Sequence, residues 1–92
     1  MPEESYAFTE RAYLNLAKAE VRPLAVTDVL YGRPAVRRHI GAVLQIAGQD
    51  RDGTWLAVAL IEGNDDEYAV VSARYLDDDE ITTITQLLRR DP

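Results

Sequence analysis

The sequence predicts an α+β domain: two N-terminal helices, an antiparallel meander of three to four strands, and one C-terminal helix. Three observations carry that expectation. At Ala35 the hydrophobic period changes from helical to two. Two apolar, β-rich runs, Trp55 to Ile61 and Tyr68 to Tyr75, then follow each other across a Gly63-Asn64-Asp65-Asp66 turn. Finally, Asp77-Asp78-Asp79-Glu80 opens a last amphipathic segment.

Residues 9–21 read as the first helix. Thr9 is a suitable N-cap, Glu10 complements the helix dipole, and Ala12, Leu16 and Ala19 form an apolar stripe that Phe8 leads into. Pro23 ends or redirects this helix. A shorter helix is expected over 25–31, with Val26, Val29 and Leu30 at helical spacing, Gly32 as its C-cap and Pro34 as its stop. From Arg38 to Ile46 the even positions Ile40, Ala42, Leu44 and Ile46 make a core face. Arg37, His39, Val43 and Gln45 then point the other way. The stretch from Gly48 to Gly53 supplies a turn before the strand at Trp55, whose continuous apolar run suits burial on both faces. A further short strand is expected near Ser5 to Ala7. At the C-terminal end, Asp77 with Glu80 three residues on is a capping box, and Ile81, Ile84, Leu87 and Leu88 form the apolar face that follows. The cap accounts for the acidic run without a metal.

The 92 residues make one domain, 1–92, and 47% of them are hydrophobic, which excludes disorder as the default state. Without cysteine there is no disulfide, thiolate nucleophile or thiolate metal site. The acidic Met1-Pro2-Glu3-Glu4-Ser5 start and the lack of any long apolar run lead to the expectation of a cytoplasmic protein without a membrane partner. The net charge of −6 is unevenly spread. Residues 33–51 carry four bases against one acid, whereas residues 52–92 carry ten acids against three bases. The basic island also holds the single histidine, His39. Global acidity argues against strong non-specific nucleic-acid binding, which depends on phosphate neutralisation. A local basic strand can still hold a short RNA or an acidic partner, and edge arginines also deter aggregation.

Several stretches resemble one known family. Glu10-Arg11-Ala12-Tyr13-Leu14-Asn15-Leu16-Ala17-Lys18 is similar to the first helix of BrnT-type toxins, and Val29-Leu30 followed by Pro34 to their short second helix. Ile46-Ala47-Gly48, Gly53 with Leu56-Ala57-Val58, and Val70-Val71-Ser72-Ala73-Arg74 with Glu80 follow the family's strand pattern. The resemblance covers roughly residues 8–82, and its most specific element is Ser-Ala-Arg with a glutamate six residues after the arginine. Three family features differ. Tyr6-Ala7-Phe8 stands near an absent Trp-Asp, Ala19-Glu20 replaces a His-Gly, and Ile84 replaces a tyrosine. The resemblance implies a RelE-like fold, a ribosome-independent ribonuclease neutralised by a DNA-binding antitoxin, and a place for Arg74 on the active surface.

Cleaving RNA without a metal needs a 2′-OH attacking the adjacent phosphate, with a base, an acid and cations for the developing charge. Arginine's planar fork suits the phosphate, and histidine has an ordinary pKa of roughly 6.5, near neutrality. The expected catalytic residues are therefore Arg74 as phosphate clamp and His39 as acid or base. Arg37, Arg38 and Arg51 are expected to hold flanking RNA, with Tyr75 or Tyr68 stacking a base or supplying a proton. No cofactor and no metal are expected. Odd-numbered Arg37 and His39 share a face, so convergence with Arg74 decides between a ribonuclease and a non-enzymatic interaction module on the same fold. Exposed strand edges also offer a route to a homodimer.

Overall fold

A computed structural model describes residues 5–32, 35–63 and 67–90. Pro34 and residues 64–66, the expected helix stop and part of the expected turn, lie outside the described residues. The elements run β1 (Ser5–Phe8), α1 (Glu10–Lys18), α2 (Pro23–Tyr31), β2 (Ala35–Ile40), β3 (Val43–Gln49), β4 (Trp55–Glu62), β5 (Glu67–Tyr75) and α3 (Asp78–Arg90). The sheet is five-stranded in the order β1-β5-β4-β3-β2. It is mixed rather than antiparallel, because β1 pairs in parallel with β5 while every other pair is antiparallel. Among the described residues no helix is long and apolar enough to cross a membrane.

Local chemistry places most element ends. The Thr9 hydroxyl accepts from the Ala12 N–H and starts α1. The helix stops earlier than its apolar stripe suggested. Val21 N–H reaches back to the Leu16 carbonyl and Glu20 N–H to that of Ala17, the paired bonds of a Schellman turn. Glu20 sits at φ 58°, in the left-handed region that favours glycine. Pro23 opens α2 instead of merely ending α1, since its missing N–H costs nothing in a first turn. Gly32 does not adopt the left-handed conformation of a C-cap. It is needed for close approach, because a Cβ there would lie 2.4 Å from the Asp28 carbonyl oxygen.

The expected single strand over 35–46 is a hairpin. Gly41-Ala42 form a two-residue loop with positive φ at Gly41 alone, the pattern of a type II′ turn, and Ile40 pairs with Val43. A two-residue loop sends the even residues of one strand to the same face as the odd residues of the next. Arg37 and His39 therefore lie opposite Ile46 and Leu44, not beside Val43 and Gln45. After β3, the Asp50 carboxylate accepts from the N–H groups of Asp52 and Thr54 and closes the turn into β4.

The core lies on one face of the sheet. Leu44, Ile46, Leu56, Val58, Leu60 and Val70 pack against Ala12 and Leu16 of α1 and Val26 and Val29 of α2, all buried. On the opposite face the sheet presents Gln45, Ala47, Ala57 and Ala59, and α3 lies across only one end of it. Ile81, Ile84, Thr85 and Leu88 of α3 are half-buried, and none of its described side chains is fully buried.

Candidate functional site

The geometry of this second face begins with an irregularity in β5. Leu60 pairs with Val70 but Ala59 with Ser72, so Val71 is an extra residue, a β-bulge. One inserted residue exchanges the two faces of everything downstream. Before it, Tyr68 and Val70 face the core. After it, Ala73 takes the core face and Arg74 turns to the open one. The Asn15 side-chain amide of α1 donates to the Val71 carbonyl at 2.9 Å. That bond ties the bulge to the helix.

Arg74 and Arg38 line one open groove of about 350 Å³ between the sheet and α3. Its floor is Gln45, Ala47 and Ala57, and the short alanine side chains leave the space. Arg74 rises from β5 and Arg38 from β2, three strand spacings apart or roughly 14 Å. Asp79, Glu80, Thr83 and Ile84 form the α3 side. Arg38 has no ion-pair partner among the described residues. Arg74 is engaged: Nη1 donates to Glu80 Oε1 at 2.7 Å and Nη2 donates to Oε2. Glu80 also accepts from the Asp77 N–H, while Asp77 accepts from the Glu80 N–H, completing the expected capping box. The bonds from Arg74, then that from the Asp77 N–H, draw the Glu80 carboxyl from its ordinary 4.5 down to about 2. Glu80 is thus ionised at neutral pH, and its pairing pushes the Arg74 pKa up.

The expected constellation is divided by the sheet. Arg38 and Arg74 share the groove, but Arg37 and His39 occupy the other face of β2, so Arg37, His39 and Arg74, whose convergence depended on strand register, do not meet. Tyr75, opposite Leu56, also faces away from Arg74. Tyr68 is buried, with its ring centroid 6.1 Å from that of Tyr6. Arg51 lies at the β3–β4 turn, where its backbone N–H, Nε and Nη2 all donate to Asp28 of α2 at 3.0 to 3.1 Å. These bonds hold the Asp28 carboxyl below its ordinary range and raise the Arg51 pKa. Gln45 and Thr83 line the groove beside Asp79 and were given no site role by sequence reasoning. Once the hairpin at Gly41 is recognised, Gln45 falls on the same face as Arg38. No group of three or more histidine and acidic side chains among the described residues is placed to hold a metal ion.

No protein-family model matches the chain, and no curated protein sequence matches it. Among solved structures it is similar to the Brucella abortus ribonuclease toxin BrnT, with a TM-score of 0.63 at 18% identity. The match covers 83% of this chain and 100% of that one. At this identity the likeness is one of fold. The helices on one face of the sheet and the arginine-bearing groove on the other are thus built on a BrnT-like fold.

Proposed function

We propose that the chain is a toxin-type ribonuclease that binds RNA in the groove between the sheet and α3. The observation that carries this reading is the pair of arginines, Arg38 and Arg74, on one open sheet face in a fold shared with a ribonuclease toxin. Arg74 meets the scissile phosphate and the charge that grows on it, and Arg38 holds a flanking phosphate. Gln45 and Thr83 offer hydrogen bonds to a base or sugar. Cleavage proceeds by attack of the RNA's own 2′-OH on the adjacent phosphorus: the 2′-O–P bond forms, the P–O5′ bond breaks, and water takes the 2′ proton and returns one to the departing 5′-oxygen, so no metal is needed. On this reading the chain works with an antitoxin partner that keeps it silent.

A second reading is favoured by the divided constellation. With His39 on the other face and the fork of Arg74 filled by Glu80, the same groove serves a non-enzymatic binding module. One experiment separates the two: cleavage of single-stranded RNA in EDTA by the wild type and by folded Arg74→Ala, Arg38→Ala and His39→Ala variants. The ribonuclease reading predicts cleavage that falls about 100-fold in Arg74→Ala, the scale of a lost charge-stabilising donor. Arg38→Ala is expected to fall about tenfold and His39→Ala by less than that. A folded wild type that does not cleave overturns the ribonuclease reading and selects the second, a protein-interaction module.

A further inference from the structure

The fork of Arg74 is full in the free protein, and the group that fills it belongs to the helix bordering the groove. Glu80 sets both carboxylate oxygens against Nη1 and Nη2 of Arg74. A phosphodiester presents two oxygens to a guanidinium in the same planar, paired manner. We propose that Arg74–Glu80 is a latch: Glu80 occupies the fork that a phosphate of the RNA takes, and exchanging one for the other frees α3 from the sheet. The proposal rests on the RNA reading above and describes how that same site is regulated.

Three features support it besides the pairing itself. The pair is accessible, with the Arg74 side chain 55% and the Glu80 side chain 32% exposed, so an incoming anion reaches it without unfolding anything. Exposed ion pairs of this kind contribute little net stability, which makes exchange of partners inexpensive. The rest of α3 is held lightly, since its apolar side chains are only half-buried over an open groove. Across that groove Arg38 lacks an anionic partner among the described residues, so RNA gains a second phosphate contact that Glu80 cannot offer. Release of α3 then uncovers the alanine floor and widens the groove to its full length.

The test uses the full chain and its Glu80→Gln variant, which removes the charge yet keeps an amide oxygen for the Asp77 N–H, as capping boxes allow. Amide hydrogen exchange is measured without ligand, and binding of a single-stranded RNA octamer is measured by fluorescence anisotropy. The latch predicts exchange of α3 amides about 2- to 5-fold faster in Glu80→Gln, the range an exposed pair supports, with β3 and β4 unchanged. It also predicts RNA affinity raised by about 2- to 5-fold, because the variant no longer spends time in the closed state. Asp79→Asn neutralises another acid of the same groove without touching the fork, and its gain is expected to be smaller. An equal gain in Asp79→Asn reduces the effect to bulk charge and overturns the latch, as does unchanged α3 exchange in Glu80→Gln. Binding by the wild type with no gain in Glu80→Gln overturns the latch alone. No RNA binding by any variant overturns the RNA reading and, with it, the phosphate exchange.

Discussion

Glu20 is the one non-glycine residue with positive φ among the described residues, and it ends α1 at the point where Val21 must turn back into the core. The left-handed conformation places a Cβ against the following carbonyl, at a cost of about 1–2 kcal/mol for an ordinary L-residue. Part of that is recovered by the two Schellman bonds. Glu20→Gly removes the clash but loosens the unfolded chain, so the net effect is a stabilisation of up to about 1 kcal/mol. Urea unfolding monitored at Trp55 measures it. Other single residues decide chemistry rather than stability. Arg51 and Arg74 each hold a carboxylate in the guanidinium fork, but Arg51 pairs with Asp28 outside the groove that Arg74 and Arg38 line. There it fastens the β3–β4 turn to α2. What separates these arginines is therefore their place in the fold and not residue type or ion pairing.

Two irregularities of single elements determine the groove. The hairpin at Gly41 moves Arg38 to the open face, and the bulge at Val71 moves Arg74 there. Each works by changing strand parity, so neither leaves a trace in hydrophobic alternation. The even positions 40, 42, 44 and 46 all read as one apolar face because a two-residue loop with small Ala42 does not interrupt the pattern. In β5, Tyr68, Val70 and Ala73 are the core residues, a spacing of two then three that marks the bulge only once burial is known. Asn15 holds this bulge from α1. Asn15→Ala is predicted to lose about 1–2 kcal/mol of stability, the scale of a partly buried bond to a backbone carbonyl. Because the bulge aims Arg74, the same variant should also weaken RNA binding in the anisotropy assay beyond what its remaining folded fraction explains.

At the scale of the whole molecule, charge and topology limit what the groove can do. On the proposed RNA reading, a net charge of −6 gives no long-range attraction for RNA, and affinity depends on the few cations in the groove itself. Two phosphate contacts, at Arg38 and Arg74, predict a slope of log affinity against log salt of about −1.4 for single-stranded RNA. Titrations between low and physiological salt measure it, and Arg38→Ala should halve the slope. The β2 strand, at one edge of the sheet, carries Arg37 and Arg38, which places like charges together in a self-pairing of that strand.

Much of the architecture follows from local chemistry that the sequence states openly. Thr9 and the Asp77–Glu80 box fix two helix starts, and alternation within β3 with the apolar run of β4 fixes the core strands. Those features depend on neighbours one to four residues apart, where side-chain spacing and capping act directly. The single-domain α+β class and the resemblance to BrnT came from the same local patterns, and the fold bears that likeness out. What only the tertiary structure decided was which residues meet. The parallel pairing of β1 with β5 joins segments some sixty residues apart in sequence, and its choice depends on how α1 and α2 cover the sheet. The face assignments of Arg38, His39 and Arg74 depend on one loop and one bulge, whose one-residue shifts are settled by the packing of the whole core. The candidate site was therefore legible as a set of residue types, and its membership was settled by register.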